Sequence, residues 1–489
     1  MGTAAGLAII PTGMGEDPFR MGVEKVRRCT AAQRADGMRG LMVRSRMKRV
    51  RIVFPAAALL SGAGNWLTFI ALIVFIQQTH GSSAAVGLFL AQTAPALLVA
   101  GAVARRVPPR AVYRTWILIQ VGVAALTIVA SFFVTYLGAI YAYAGVSMVL
   151  RSILNPLFMT LISTNVAPQD KPDVLRSVSA SSALTMAIVP ALGGALLPVA
   201  GPHVLLVVNA LLSLASATLL FLTLTVSPSA EPSVGARTST DSRRRLFNIP
   251  GVMTLVQVEG SRIWVWRTFE TRAWILLILG GAIFNAIETP FIFDVARGGS
   301  ELFGAMMAAY GLGGLVVLLL GMFPGRRLSL ILARFINPQS MTCTVIVGFA
   351  CLAGMAGLES RAAGHTLGLV SFFLLGTAVS WLSGTIRSWL DELPGSEQGL
   401  GLTVWTWASQ VTLAVNLLVY GVFTLAFTRL PAGVWLIAAP LCAYSLLALS
   451  ILRSADRGPP PARQSVVDLP GRLRYINSVL LCHWQQRRH

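Results

Sequence analysis

Long apolar stretches, separated by short polar segments, follow one another from Val53 to Leu452. Each stretch is close to the roughly 20 residues that an α-helix needs to cross the hydrocarbon core of a bilayer. The stretches are continuous, whereas strands of a transmembrane barrel alternate apolar and polar residues. The pattern predicts an all-α membrane protein with twelve transmembrane helices, at residues 53–77, 84–104, 112–134, 137–161, 177–200, 203–226, 272–294, 302–323, 340–358, 365–386, 401–427 and 433–452.

The predicted spans form two bundles of six helices, separated by a polar segment at residues 227–271. This segment begins SPSAEPSVGARTSTDSRRR, a composition with little to bury, which is typical of a linker. Its end, VEGSRIWVWRTFETR, interleaves apolar and charged residues, and we predict an amphipathic helix on the membrane surface there. The predicted organisation is a basic, poorly ordered tail at 1–52, bundles at 53–226 and 272–452 on either side of the linker, and a C-terminal tail at 453–489.

The distribution of charge predicts the orientation in the membrane. Only 12% of the residues are charged, yet the net charge is +20. With the N-terminus inside, the short inner loops and helix ends hold ten Lys and Arg, and the outer ones hold three. This bias follows the positive-inside rule and predicts that both termini are cytoplasmic. We therefore expect a multi-pass protein of the cell inner membrane, whose basic segments face the lipid bilayer and do not bind nucleic acid.

The two predicted bundles show weak internal similarity. Span two ends at Arg105-Arg106, span eight ends at Arg326-Arg327, and the loops after spans four and ten carry prolines at a similar offset. Similarity at half length is typical of transporters built from repeats, whose site lies at the repeat interface near the midplane. Chance similarity between apolar helices is the alternative interpretation.

Ionisable residues inside the predicted spans are few. Arg151 lies in span four, and the acids of the spans are Glu288 and Asp294 in span seven. At 1.5 Å per residue, Arg151 lies about 21 Å from Leu137 and Glu288 about 24 Å from Arg272, so both fall within the bilayer. Asp294 falls at the outer edge, where we expect it to be solvated. Charged groups in a membrane are costly and indicate a functional site, so Arg151 and Glu288 are the primary candidates.

Polar neighbours accompany both candidates. Asn155 lies four residues after Arg151, and Asn285 lies three before Glu288, so each pair shares one helix face. Asn65 lies on a polar face of span one. These side chains could line a cavity for substrate and protons, or they could hydrogen-bond neighbouring helices, which Asn, Ser and Thr often do in membranes.

Span five contains the sequence PALGG, with Pro190, Gly193 and Gly194. Proline with paired glycines inside a span allows a kink and a close approach of neighbouring helices. We expect these residues to support conformational change, with ordinary small-residue packing as the alternative.

Six spans, a basic central loop and six more spans resemble the major facilitator superfamily. PALGG resembles the core of the antiporter motif of exporters in that family, although Val189 stands where glycine is usual. Arg151 in VLRSILNP resembles the basic position of the span-four motif, where Leu154-Asn155 replaces the usual Gln-Gly. The loop GAVARRVPPR resembles the glycine-to-arginine loop after span two and contributes the conformational candidates Gly101, Arg105, Arg106 and Arg110. Its usual acidic residue is missing, with Arg105 near that place.

Within the superfamily, residues 64–90 resemble the first hairpin of bacterial siderophore and macrolide exporters, with Asn65 where an acid is common. This resemblance implies alternating access around a cavity formed by spans one, four, seven and ten. It implies proton antiport with efflux of small amphiphilic compounds by a monomer, without a cofactor or a metal. In this hypothesis Glu288 binds the proton, and Arg151 tunes that binding or holds an anionic part of the substrate.

Other functions remain open at this point. The same branch resembles lysophospholipid flippases, so a lipid is a possible cargo. A non-transporting membrane sensor could use the tail RLRYINSVLLCHWQQRR as a docking segment. A membrane enzyme would need acids or histidines clustered at one face, and no such cluster or GxxxxGK[ST] motif is present in the sequence.

Overall fold

The computed structural model describes residues 52–104, 111–166, 170–224, 255–258, 261–264, 269–322, 337–358, 360–391, 401–430 and 433–455. The first half contains α1 (Ile52–His80), α2 (Ser82–Ala104), α3 (Val112–Phe132), α4 (Leu137–Asn165) and the helical segment Lys171–Leu224, whose parts we name α5 (171–200) and α6 (202–224). The second half contains α7 (Phe269–Pro290), α8 (Ser300–Met322), α9 (Pro338–Gly357), α10 (Arg361–Asp391), α11 (Gly401–Phe427) and α12 (Ala438–Ala455).

Each predicted span corresponds to one of these helices, and most boundaries agree within a few residues. In the described part of the chain, eight helical segments are long and apolar enough to cross a membrane, with α5 and α6 counted as one segment. The apolar parts of α2, α11 and α12 are shorter, namely Ser82–Leu97, Val411–Phe427 and Ala438–Arg453. The predicted all-α membrane fold with twelve spanning helices is therefore confirmed.

Two glycines form the tightest connections. Gly81, with φ of 80°, separates α1 from α2, and Gly201, with φ of 73°, separates α5 from α6. Glycine tolerates positive φ because it lacks a Cβ, so the chain can leave one helix and start the next without a loop. The ends of these helix pairs are thus held close together.

The predicted amphipathic helix at 258–272 is wrong at residues 258 and 261–264, which form strands, whereas residues 269–272 are helical. Residues Leu255–Val258 and Ser261–Trp264 form antiparallel strands β1 and β2, with Val256 opposite Ile263. Valine and isoleucine favour strands because their branched side chains are restricted in a helix. The helix begins only at Phe269, as the first turn of α7.

Helices of each half pack mainly on one another. In the first half, α2 and α3 both pack against α4, and α3 also packs against the α5–α6 segment. Asn209 of α6 donates a hydrogen bond of 2.6 Å to Thr68 of α1, and Ser216 donates one of 3.0 Å to the carbonyl of Ala57. In the second half, α10 packs against α8 and α9, while α12 packs against α7 and α9.

The two halves meet along two contact regions. We name them the α5/α8 seam, where α5 packs against α8, and the α2/α11 seam, where α2 packs against α11 and the nearby α7. A core of buried apolar side chains continues across both halves, from Ile70 and Leu88 to Phe291 and Phe372. The space left between the seams is the candidate site.

Candidate functional site

A cavity of about 550 Å³ lies between the two halves. It is lined by residues of α1, α2, α4 and α5 from the first half and of α7 and α8 from the second. Its volume lies within the range of about 300–1,000 Å³ that is typical of pockets for drug-sized molecules. The cavity contains both charged candidates, Arg151 and Glu288, which the two halves contribute separately.

Arg151 is positioned by α4, on the face that also carries Tyr143 and Ser147 at intervals of four residues. The Tyr143 hydroxyl lies within hydrogen-bonding reach of the guanidinium, and it contacts Thr127 Oγ1 of α3 at 3.0 Å. Nε and Nη2 of Arg151 are buried and have no hydrogen-bond partner within the described structure. The guanidinium is thus held by its own bundle, while two of its nitrogens have no hydrogen-bond partner within the described structure.

Glu288 is positioned by α7 and is only 2% exposed. Its Oε2 is buried without a hydrogen-bond partner within the described structure. The phenols of Tyr310 in α8 and Tyr420 in α11 lie close enough to interact with this carboxylate electrostatically. Asn285, one turn earlier, lies within hydrogen-bonding reach of Tyr420. The carboxylate therefore lies among phenols and apolar rings.

The helix that carries Glu288 changes its winding just beyond it. Pro290 ends the regular part of α7, and residues Phe291–Val295 form a π-helical turn, closed by a hydrogen bond from the amide of Ala296 to the carbonyl of Phe291. Proline lacks the amide hydrogen that an α-helix needs, so the local winding must adjust. Such π-turns are frequent at functional sites.

Half of the residues that line the cavity are aromatic or methionine. Trp66 and Phe69 of α1, Phe89 of α2 and Phe284 of α7 line it, together with Met148, Met186 and Met307. Phe89 stacks on Tyr420 across the two halves, with ring centroids 5.0 Å apart. Aromatic rings bind flat apolar groups, and methionine adapts to different shapes. The wall suits an apolar molecule with a small number of polar groups.

Only some of the other polar candidates line the cavity. Asn65 and Asn285 line the cavity with Arg151 and Glu288, whereas Asn155 is exposed and is not one of the lining residues. Its expected place in the substrate pathway therefore stays a prediction that this cavity does not support. The expectation that span ten lines the cavity also fails, since no described residue of α10 is among the lining residues.

Several lining residues were missed by the sequence reasoning. Tyr143 lies one further four-residue step along the polar face of α4, so the stripe could have been extended to include it. Gln92 and Tyr310 lie on helices without any charged candidate, and no sequence signal marked them. Tyr420 of α11, which interacts electrostatically with Glu288 but does not line the cavity, was also missed. Among the described residues, no group of three or more His, Cys, Asp or Glu is placed to hold a metal ion.

The PALGG residues of α5 pack against two helices, α8 at the α5/α8 seam and α1. A Cβ added at Gly194 would collide with the backbone of Ser300 and Gly304 in α8, and one at Gly193 would touch Leu67 and Ile70 of α1. Residues 171–200 form one uninterrupted helix through Pro190, and the backbone first leaves helical geometry at Gly201. The glycines thus serve close packing here. Gly101 lies in α2, while Arg105, Arg106 and Arg110 lie outside the described residues.

Polar contacts join the halves at one end of the α2/α11 seam. Asp294, in the π-turn after α7, accepts hydrogen bonds from Gln77 at 3.1 Å and from Ser82, and Gln77 also bonds Ser82 at 3.0 Å. We name these three residues the Asp294 cluster. Asp294 is exposed, as expected, but it is bound by both side chains and not by solvent alone. Nearby, Ser83 donates a hydrogen bond of 3.0 Å to the carbonyl of Thr424 in α11.

Comparison with known proteins identifies the fold. A bacterial homologue of the iron transporter ferroportin in an inward-facing state shares 15% identity with a TM-score of 0.59, covering 83% of this chain and 98% of that chain. A D-xylose–proton symporter shares 12% identity with a TM-score of 0.59, over 82% and 96%. An auto-inhibited peptide transporter of the POT family shares 14% identity with a TM-score of 0.58, over 84% and 98%. A search of curated proteins gives no match.

The sequence itself matches the model of the Major Facilitator Superfamily over residues 56–415, which is more than half of the chain. Together with the two-bundle fold and the central cavity, this match shows that the chain belongs to the major facilitator superfamily and is a transporter rather than an enzyme.

Proposed function

We propose that the protein is a secondary active transporter that exports small amphiphilic compounds by proton antiport with alternating access. The observation that carries this proposal is the placement of Arg151 and Glu288, contributed by opposite halves, in one cavity whose wall combines aromatic, methionine and polar side chains. Movement of one half relative to the other would change which side the cavity faces, so the charge on these groups can be coupled to that movement.

Glu288 is the group that we assign to the proton. An unpaired carboxylate in an apolar site is costly, and uptake of a proton at Oε2 removes that cost. In the proposed cycle the proton enters from the outer side and is released to the cytoplasm, while cargo moves in the opposite direction through the same cavity. The tyrosines around Glu288 keep the site polar enough to hold the carboxylate when the proton has left.

The export direction rests on the resemblance of Pro190–Gly194 to the antiporter motif. Cytoplasmic termini rest on the bias of Lys and Arg between the loops. A location in the cell inner membrane rests on the resemblance to bacterial exporters. A monomer is sufficient, because a single chain forms the whole cavity.

The test uses Glu288→Gln, which keeps the size of the side chain and removes its ability to bind and release a proton. In proteoliposomes with an imposed pH gradient, we expect no proton-coupled transport, while exchange of cargo without a gradient continues. Glu301→Gln is the matched control, because Glu301 is an exposed acid at the start of α8.

Unchanged proton-coupled efflux by the Glu288→Gln protein, at equal abundance in the membrane, would contradict the assignment. Movement of lysophospholipid that does not depend on the pH gradient would instead favour the lipid flippase. Efflux measured with a panel of compounds, with and without a gradient, in cells lacking their own pumps, distinguishes these cargo classes.

A further inference from the structure

We propose that Arg151 binds an acidic group of the cargo, so that the compounds exported are amphiphilic anions with an aromatic or apolar body. This inference rests on the proposed export function and names its substrate class. It is carried by the two unpaired nitrogens of Arg151 and by the chemistry of the surrounding wall.

The unpaired nitrogens of Arg151 have a specific geometry. Nε and Nη2 form one edge of the planar guanidinium, and their N–H groups point the same way. That edge accepts the two oxygens of a carboxylate or a phosphate in a bidentate pair. Arg151 lines the cavity, and within the described structure neither Nε nor Nη2 has a hydrogen-bond partner, so a ligand in the cavity can satisfy this edge. Tyr143 lies within reach of the guanidinium and orients it from the same helix.

Within the part of the chain that the structure describes, no anion pairs with this edge. Within the described residues Arg151 forms no ion pair, and the interactions of Glu288 are with Tyr310 and Tyr420. A buried arginine without a counter-ion is costly, so a ligand that brings one gains affinity by relieving that cost. The two charges of the cavity therefore have separate tasks, with the cargo anion at Arg151 and the proton at Glu288.

The side chains that line the cavity with Arg151 indicate the chemistry of the rest of the cargo molecule. Trp66 and Phe69 present aromatic surface, and Met148 and Met186 present flexible apolar surface, all in the same cavity. Burial of a flat apolar body against these side chains provides affinity, and the bidentate pair provides selectivity for the acid. The volume of about 550 Å³ suits a molecule of drug size.

The experiment measures binding to the full-length purified protein by calorimetry. The probes are three aromatic acids, 2-naphthylacetate, indole-3-acetate and dansylglycine, each paired with its own primary amide. The amide has nearly the same shape as the acid but no charge. We expect at least one acid to bind the wild type about tenfold more tightly than its amide, as a bidentate charged pair predicts.

Three variants locate the effect. Arg151→Ala should bind acid and amide equally, and Arg151→Lys, which keeps the charge but lacks the planar edge, should retain only a small preference. Arg114→Ala, at an exposed arginine of α3, should keep the wild-type preference. Thermal unfolding of each variant establishes that it is folded, and Arg151→Lys keeps the test informative if Arg151→Ala is unstable.

The proposal is overturned if no acid binds the wild type more tightly than its amide, or if Arg151→Ala keeps the preference. These results are distinct from failure of the export function. Proton-coupled efflux of the neutral amides, with no preference for acids, would leave export standing and remove the anion site. A preference for acids without any coupling to protons would leave the anion site standing and remove proton-coupled export.

Discussion

The two seams between the halves are built in opposite ways. On the α5/α8 seam, Gly194 faces Gly304 and Gly311 faces Met186, so backbone lies directly against backbone. On the α2/α11 seam, contact is made by side chains, through the Asp294 cluster, the bond from Ser83 and the stacked rings of Phe89 and Tyr420. The first seam has no space for an added atom, whereas the second consists of contacts that can break one at a time.

This difference suggests different tasks during alternating access. Close-packed backbone allows small rotations about a fixed contact but does not tolerate an intervening side chain. Hydrogen bonds between side chains at one end of the molecule can release and form again, as a gate requires. We therefore expect the α5/α8 seam to keep the halves in register and the Asp294 cluster to hold one end closed.

The largest effect is expected from Gly304→Leu. A Cβ at this position would meet the carbonyl of Pro190 and the backbone of Gly194, so the seam must separate. Overpacking of this kind costs about 1–3 kcal/mol. We expect a lower melting temperature and loss of most transport in proteoliposomes. Gly122→Leu is the control, because a Cβ at Gly122 of α3 has nothing within 4 Å. Wild-type transport by Gly304→Leu would show that the seam is not tight during the cycle.

An intermediate effect is expected from Asp294→Ala, which removes the acceptor of Gln77 and Ser82. Hydrogen bonds to charged groups contribute about 1.5–3 kcal/mol, so the closed state should lose population by about tenfold or more. Spin labels at His80 and Gly299, both exposed, measure the distance between the halves at this end.

The control for this experiment is Asp173→Ala. Asp173 bonds Arg176 of its own helix at 3.2 Å and lies far along the chain from the Asp294 cluster. It should leave the label distances unchanged. If the distance distribution of Asp294→Ala is the same as that of the wild type, the cluster is not a gate.

The smallest effect is expected from Ser83→Ala, which removes one neutral hydrogen bond to the carbonyl of Thr424. Such a bond contributes about 0.5–1.5 kcal/mol. The ratio of closed to open populations, measured with the same two labels, should therefore fall by about threefold. Thr366→Ala is the control, because Thr366 of α10 bonds the carbonyl of Ala362 in its own helix. A shift from Ser83→Ala larger than that from Asp294→Ala would reverse the ranking of the contacts.

Much of the fold could be predicted from sequence because bilayer thickness sets the length of each apolar run. Arg151 and Glu288 could be identified in the same way, because ionisable residues are rare in such apolar runs. Spacing along a helix indicates which residues share a face, but it does not indicate which residues of that face line the cavity. For this reason Asn155 was assigned to the site and Tyr310 was not.

Contacts between distant parts of the chain could not be predicted. Asp294 was expected at the surface, and only packing of the two halves brings Gln77 and Ser82 to it. The pairing of Gly194 with Gly304 likewise depends on how α5 and α8 cross. The strands Leu255–Val258 and Ser261–Trp264 were missed because interleaved apolar and charged residues fit an interfacial helix as well as short paired strands.

The single residue Gly81 between α1 and α2 has a mechanical consequence. Gln77 and Ser82 lie on either side of it, and both bind Asp294. Because the connection is a single residue, the ends of these two helices must move together, and a displacement of one helix end displaces the other. A spacer of two glycines inserted after Gly81 would let α2 move while α1 stayed behind, turning a concerted opening into two independent steps.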